Sequence, residues 1–185
     1  MKYPIYLNLK SKRAVVIGGG SVGTRKIMSL LDSEARIVLV AERVDAALEI
    51  ECERAGVEVI ISKYSKEYLV GATIAFAATN DRDVNEQIYK DCQELEVLCN
   101  VPDNPQRCDF FVPAVVRRGD LQIAICTEGS SPAYAGHIRK KLEDMFTEKH
   151  GDFLAELEAI RERIMAEVPN AADRKAILGE LAGDA

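Results

Sequence analysis

The chain has 185 residues, of which 48% are hydrophobic and 29% charged, a balance typical of globular rather than disordered proteins. The formal net charge of −6 weighs against nucleic-acid binding, which needs a dominant basic face. No apolar run approaches the roughly 20 residues that cross a membrane, and the first residues lack the apolar core of a signal peptide. We therefore expect a cytoplasmic protein with neither membrane nor nucleic-acid partners.

Cysteine and histidine usage gives no sign of a disulfide framework or a metal site. The five cysteines form no Cys-x-x-Cys pair and are odd in number, which favours reduced thiols. Only two histidines occur, His137 and His150, and neither lies in a cluster with the spacing of zinc or iron–sulfur ligands. No metal ligand is predicted.

Five apolar runs alternate with helical stretches over the first two-thirds of the chain. The runs are 13–17, 37–40, 57–61, 73–78 and 97–101. Helical patterns cover 27–31, 46–55 and 83–95. Near-continuous β-branched runs predict parallel strands that are buried on both faces. With right-handed crossovers, the fold class is an α/β, Rossmann-type doubly wound sheet of strand order 3-2-1-4-5.

The pattern changes after Pro102. Apolar runs at 110–117 and 121–126 flank the turn signal Arg118-Gly119-Asp120, which predicts an antiparallel hairpin. A hairpin appended to a parallel sheet leaves strand edges that need cover. Pairing with a second copy provides that cover, so we predict a homodimer.

The last third of the chain reads as helices. Ser131-Pro132 opens a helix that is predicted to reach about Lys149 and to end at Gly151. Further helices are predicted at 153–168 and 171–181, with a mobile end at 183–185. The predicted domains are a sheet domain at 1–112, a dimerisation hairpin and helix at 113–149, and a C-terminal helical region at 150–185.

A glycine motif, Gly18-x-Gly20-x-x-Gly23, joins the first strand to the first helix. Gly18 permits the tight turn, Gly20 lets the backbone approach a pyrophosphate, and Gly23 lets helix and strand pack closely. The helix N-terminus offers free N–H groups to phosphates. We predict that the domain at 1–112 binds NAD; a tight turn without a ligand is the alternative.

Two further segments are expected to reach the same edge of the sheet. Glu42, after the second strand, could accept hydrogen bonds from the adenosine ribose and favour NAD, whereas Arg43 could instead meet the 2′-phosphate of NADP. After the fourth strand, Thr79 and Asn80 are candidates to contact the ribose or nicotinamide. Alternatively, Asn80 and Asp81 cap the next helix.

Several segments together, in order and spacing over about residues 1–150, identify a family resemblance. They are Pro4-Ile5-Tyr6-Leu7-Asn8-Leu9, Val16 to Lys26, Ala77-Ala78-Thr79-Asn80-Asp81, Cys99-Asn100-Val101-Pro102-Asp103, Phe110-Phe111-Val112-Pro113-Ala114 and Thr127-Glu128-Gly129-Ser130-Ser131-Pro132. The ordered set resembles the precorrin-2 dehydrogenases, which form the N-terminal module of siroheme synthases.

The resemblance implies NAD-dependent oxidation of precorrin-2 to sirohydrochlorin. In some members the same site then inserts iron, so a bifunctional dehydrogenase and ferrochelatase is one alternative. A NAD-sensing regulatory module is another, which would need the glycine loop but not the segment around Asp103. Because the chain ends at Ala185 without a methyltransferase module, we expect a separate upstream methyltransferase to supply precorrin-2.

The resemblance also implies roles for individual residues. The family's important aspartate falls on Asp103, where a carboxylate could accept a proton as hydride leaves the macrocycle; a turn aspartate before Asn104-Pro105 is the alternative. The family's cofactor contacts fall on Ser21 and Val22, and on Glu42 and Arg43.

The substrate is a polycarboxylate, so a protein of net charge −6 needs local basic groups to bind it. The candidate cations are Arg25, Arg107, Arg117, Arg118, Arg139, Lys140 and Lys141. The predicted substrate-binding set is Asn100, Arg107, Thr127, Ser130 and Ser131. Thr127 falls where siroheme synthase carries a serine that can be phosphorylated. Glu128 replaces a family glycine and adds a carboxylate near a polyanionic substrate.

Overall fold

The computed structural model describes residues 2–183, and the chain divides between Phe111 and Val112 into two compact units. The first unit is built on a parallel sheet of order β3-β2-β1-β4-β5, which confirms the predicted order. Its strands are β1 (Arg13–Ile17), β2 (Arg36–Ala41), β3 (Glu58–Ile61), β4 (Ile74–Ala77) and β5 (Leu98–Asn100).

Three helices connect these strands: α1 (Ser21–Leu30), α2 (Ala46–Ala55) and α3 (Arg82–Glu94). Aspartates begin the second and third. The Asp45 carboxylate accepts a hydrogen bond from the Leu48 N–H at 2.8 Å, and Asp81 caps α3 in the same way. The helix predicted at 46–55 is confirmed as α2, and it ends at Gly56, whose φ of +68° favours glycine. Short 3₁₀ turns occur at Leu31–Ser33, Lys66–Leu69 and Pro105–Arg107.

Both faces of the sheet are buried, as expected for parallel strands with crossover helices. On one face, Val16, Leu39 and Phe76 belong to one apolar cluster. On the other face, alternate residues such as Val15 and Ala75 belong to a second cluster. This two-sided burial explains why the strand sequences are apolar without alternation.

The second unit begins with the predicted hairpin. Strands β6 (Ala114–Arg118) and β7 (Leu121–Ile125) pair antiparallel as a two-stranded sheet. Gly119 in the connecting turn has φ +55°. Three helices follow: α4 (Pro132–Met145), α5 (Glu148–Glu167) and α6 (Ala171–Gly183). Over residues 2–183, no helix combines the length and apolarity needed to span a bilayer.

The prediction of one helix from Ser131 to about Lys149 was wrong. The chain leaves helical geometry at Phe146, and Thr147 begins α5 with a capping box in which His150 Nδ1 accepts from the Thr147 N–H at 3.1 Å. Gly151 therefore lies inside α5. A Cβ there would be 2.6 Å from the Arg118 carbonyl oxygen, so this glycine serves close packing. The predicted mobile end, 183–185, includes Asp184 and Ala185, which lie outside the described residues.

Candidate functional site

The glycine loop packs so tightly that three of its glycines, Gly18, Gly19 and Gly23, cannot carry a side chain. Gly18 has φ +117°, and a Cβ on it would lie 2.3 Å from the Ala78 carbonyl oxygen. A Cβ on Gly23 would lie 1.9 Å from the Gly18 carbonyl oxygen. In contrast, a Cβ on Gly20 would meet no heavy atom within 4 Å. The space beside Gly20 is therefore open, in the position where the motif admits a phosphate.

Helix α1 starts at this open space. Gly20 is its N-cap, and no side chain caps the helix. The first N–H groups of an α-helix, here those of Ser21 and Val22, have no intrahelical acceptor and carry partial positive charge. An uncapped N-terminus beside an open glycine fits a pyrophosphate, which would supply the missing acceptors.

The segment after β2 lies against the same loop. Glu42 directly follows β2, and both Glu42 and Arg43 are exposed. A Cβ on Gly19 would lie 2.5 Å from the Arg43 carbonyl oxygen. The structure thus brings together the glycine loop, the Glu42–Arg43 segment and, through Gly18, the end of β4.

Thr79, Asn80 and Asp81 follow β4, and hydrogen bonds within the protein distinguish their roles. Thr79 Oγ1 donates to Asn85 Oδ1 at 2.7 Å, and Asn85 Nδ2 donates back to the Thr79 carbonyl at 3.0 Å. Asp81 accepts from the Asp83 and Val84 N–H groups at 2.9 and 3.2 Å, so the capping alternative is correct for Asp81. The Asn80 residue is exposed and does not cap α3.

A polar cavity of about 300 Å³ contains Asp103 and Arg107. Its remaining lining residues are Arg82, Asn85, Glu86, Val101 and Asn104. The sequence reasoning missed Arg82, Asn85 and Glu86. One signal was available for Asn85: it shares a helical face with the buried Ile88 and Cys92, where an unpaired amide would be costly. The Asn85 amide forms its hydrogen bonds with Thr79, so Asn85 links the loop after β4 to this cavity.

Arg107 is held firmly in the cavity wall. Its Nε donates to Glu86 Oε2 at 3.0 Å, and its Nη2 lies 2.9 Å from Glu86 Oε1. The guanidinium also stacks over the Tyr89 ring, 4.9 Å from its centroid. A bidentate ion pair combined with a cation–π contact fixes the orientation of the planar group.

The loop that bears Asp103 is closed by a thiol. Cys108 Sγ accepts from the Val101 N–H at 3.3 Å and donates to the Val101 carbonyl at 3.2 Å. Burial raises the pKa of this thiol, so the neutral form that can donate is favoured. Asp103 itself is exposed at the tip of the loop, accessible to a ligand in the cavity.

Asn100 is buried at the end of β5, outside the set that lines the cavity. Its Nδ2 donates to the Phe110 carbonyl at 2.9 Å, while its Oδ1 is buried without a hydrogen-bond partner among the described residues.

Lys26 in α1 lies against the sheet. Its ammonium is 5.4 Å from the centroid of the Phe76 ring. Burial lowers the pKa of Lys26, and neighbouring Arg25 adds to this effect.

Thr127, Ser130 and Ser131 lie in the second unit, where they form a turn that begins α4. The Ser130 N–H donates to the Thr127 carbonyl at 2.9 Å, and the Ser131 N–H to Thr127 Oγ1 at 3.3 Å. Ser131 Oγ accepts from the Tyr134 N–H, as predicted for an N-cap. These contacts give the turn a structural role of its own.

Some of the candidate cations form hydrogen bonds or ion pairs within the second unit. Arg118 is largely buried and donates to the Phe146 and Glu143 carbonyls at 2.7 and 3.1 Å. It therefore satisfies the C-terminal carbonyls of α4. Arg139 pairs with Glu143 one helical turn away. Arg118 is thus a structural residue, and its prediction as a cation for the substrate is not supported by its contacts.

Comparisons with known proteins agree with this architecture. Residues 5–114 match the family described as "Putative NAD(P)-binding", and residues 118–145 match "Sirohaem biosynthesis protein central". The chain is 34% identical to a siroheme synthase from Pseudomonas putida over 93% of its own length and 37% of that protein. It is 31% identical to siroheme synthase 1 of Aeromonas hydrophila over 88% of its length and 35% of that protein. The chain therefore spans about a third of the length of the curated relatives it matches.

A solved structure is similar over nearly the whole chain. It is that of SirC, a precorrin-2 dehydrogenase, with a TM-score of 0.82 and 29% identity, covering 97% of this chain and 89% of that one. The family model covers more than half of the chain, including the glycine loop and Asp103. The chain belongs to the NAD(P)-binding family that includes SirC and the N-terminal part of siroheme synthases.

Proposed function

We propose that this protein oxidises precorrin-2 to sirohydrochlorin with NAD as the hydride acceptor. The observation that carries the proposal is the open space at Gly20, set between two glycines that cannot carry a Cβ. The similarity to SirC over most of both chains supports the choice of substrate. The presence of Asp103 in a cavity of the same unit supplies a candidate base.

The chain's own backbone would hold the dinucleotide. Gly20 leaves room for the pyrophosphate, and the N–H groups of Ser21 and Val22 would donate to its oxygens. Glu42, directly after β2, would accept hydrogen bonds from the adenosine ribose hydroxyls and oppose a 2′-phosphate. When bound, the nicotinamide supplies the hydride-accepting chemistry.

Asp103 would accept the proton that oxidation releases from precorrin-2. Oxidation removes one hydride and one proton from precorrin-2, and an exposed carboxylate at the loop tip would accept that proton. Arg107, held by Glu86, would orient the acidic substrate beside it. Thr79 and Asn80 are proposed to border the ribose or nicotinamide, with Asn85 fixing Thr79 through two hydrogen bonds. Asn100, Thr127, Ser130 and Ser131 remain proposed substrate contacts.

The test is an anaerobic incubation of the protein with precorrin-2 and either NAD or NADP. The proposal predicts stoichiometric NADH and the absorption spectrum of sirohydrochlorin, with NAD preferred. The Asp103→Asn variant should lose roughly 10²–10⁴-fold in kcat, while its affinity for NADH is retained. NADH binding without turnover would contradict the proposal and favour the NAD-sensing alternative. Ferrous ion added after the first reaction tests the chelatase alternative.

The proposal includes a homodimer formed through the hairpin. β6 and β7 pair only with each other within residues 2–183, so each has an outer edge that can accept another strand. Light scattering during size-exclusion chromatography should give twice the mass of the chain. All five cysteines are free thiols, which suits a reducing compartment, and the proposal places the reaction in the cytoplasm.

A further inference from the structure

Two guanidinium groups line the cavity beside Asp103, and their bonding differs. Arg107 is paired with Glu86 through two nitrogens and stacks on Tyr89. Arg82, the first residue of α3, lines the same cavity and is exposed. Its side chain makes no ion pair or hydrogen bond with the residues that the structure describes. One cation is therefore fixed, and the other is available.

Arg107 keeps a second binding edge despite its ion pair. A guanidinium carries five N–H donors in a planar fork. Glu86 occupies the edge formed by Nε and Nη2, which leaves the edge formed by Nη1 and Nη2. That free edge presents two parallel N–H groups, the geometry that binds a carboxylate through both oxygens.

The charges of the cavity also favour an incoming carboxylate at Arg82. Glu86 pairs with both Arg107 at 2.9 Å and Lys90 at 4.0 Å, so it offers little repulsion to a second anion. Asp103 is the other carboxylate in the lining, and it is needed as a proton acceptor in the proposed reaction. The volume, about 300 Å³, lies at the low end of ligand pockets and suits one arm of a large substrate.

We infer that this cavity is a carboxylate subsite in which Arg82 and Arg107 bind one acidic arm of the substrate, and that Glu86 positions Arg107. This inference rests on the proposed function, because it takes the polycarboxylate precorrin-2 as the substrate. Binding this remote arm adds affinity that is equal in the ground state and the transition state, so its loss raises KM rather than lowering kcat. Because the ion pair with Glu86 already restricts Arg107, this side chain loses less conformational entropy when the substrate binds.

The first test is Arg82→Gln, which removes the charge and keeps a polar side chain. We expect its KM for precorrin-2 to rise about tenfold with kcat within about twofold of wild type, as for loss of one charge-assisted bond. The Kd for sirohydrochlorin, titrated without dinucleotide, should rise by a similar factor. Arg82→Lys should recover part of the loss, because it keeps the charge without the fork.

Arg54→Gln is the matched control. Arg54 is exposed on α2, pairs with Glu51 in the preceding helical turn, and does not line the cavity. The substitution changes the net charge by the same amount as Arg82→Gln. Its KM and Kd should equal those of the wild type. Equal losses in both variants would mean a general electrostatic attraction and would overturn the inference.

Glu86 is tested through its dependence on Arg107. Glu86→Gln should raise KM about threefold in the wild-type background, because Arg107 loses its charged anchor. In an Arg107→Gln background the same change should leave KM unaffected, since a positioning residue acts only through the group it positions. A thermal melt of each variant identifies any loss of folding.

The outcomes separate the two proposals. If the wild type oxidises precorrin-2 and folded Arg82→Gln keeps the wild-type KM and Kd, the carboxylate subsite is wrong while the proposed function stands. If the wild type forms no sirohydrochlorin, the proposed function is wrong, and the inference that rests on it is overturned as well.

Discussion

Gly23→Ala should damage the first unit by forcing helix α1 away from strand β1. The new Cβ would lie 1.9 Å from the Gly18 carbonyl oxygen and 3.0 Å from its carbon. Because Cβ atoms do not approach closer than 3.0 Å, the two backbone segments must separate by at least about 1.1 Å. Neither atom belongs to a flexible side chain, so rotamer changes cannot relieve the contact.

The expected cost is about 2 kcal/mol, in the range measured for overpacked sites. For a chain of this length it corresponds to a decrease of roughly 4–8 °C in Tm. Thermal unfolding followed by circular dichroism measures the effect. Gly136→Ala in α4 is the control, because a Cβ there meets no heavy atom within 4 Å. It should raise stability by about 0.5–1 kcal/mol through helix propensity.

Gly20→Ala separates binding from stability. Gly20 has φ −81° and ψ −179°, which alanine adopts without strain, and its Cβ would enter open space. Tm should stay close to that of the wild type, while Kd for NADH, titrated by its fluorescence, should rise at least about tenfold because the methyl group meets the pyrophosphate. A Gly23→Ala variant with wild-type Tm, or a Gly20→Ala variant with wild-type Kd, would refute this assignment of roles.

Three further predictions concern the first unit and the thiols. Cys108→Ala should cost about 1–3 kcal/mol in urea unfolding, because it leaves the Val101 N–H without its acceptor, whereas Cys108→Ser should cost less. A thiol reagent should label Cys126 rapidly in the native protein, with the four buried cysteines reacting only on unfolding; rapid labelling of a second thiol would contradict the structure. Tyr64 donates to the buried Asp91 carboxylate at 2.7 Å, and burial, followed by this bond, raises the pKa of Tyr64. Stability should therefore decline as the pH rises above about 10, the ordinary tyrosine pKa, and Tyr64→Phe should flatten that decline.

The fold was predictable because its signals are local and repeated. Most strand residues of the first unit are apolar and fall in short runs, and helix starts and stops are marked in the sequence by residues such as Asp81 and Gly56. The parallel arrangement then restricts strand order to few choices. The helix break at Phe146 was missed because Thr147 and His150 form a capping box with an unusual partner at its third position.

The candidate site was predictable only where a motif is contiguous. The glycine loop can be read directly, because Gly18, Gly19 and Gly23 each lie too close to neighbouring backbone for a Cβ, while Gly20 faces open space. Arg82, Asn85 and Glu86 come from one face of α3, and they meet Asp103 and Arg107 only after β5 has paired with β4. No spacing rule connects those segments. Arg118 donates to the carbonyls at the end of α4, whereas Arg82 makes no ion pair or hydrogen bond with the described residues. That difference depends on tertiary packing, which sequence patterns do not contain.

The position of Asp103 illustrates how the backbone of a loop can be held while its carboxylate is exposed. At the base of the loop, the Asp109 N–H donates to the Cys99 carbonyl, and the Cys99 N–H donates to Asp109 Oδ2, both at 2.8 Å. Above them, the Cys108 thiol bridges both backbone groups of Val101. These anchors restrict the loop without touching Asp103, so its carboxylate stays accessible while its backbone is held. The role of base that we propose for Asp103 needs that combination of an accessible carboxylate and a held backbone.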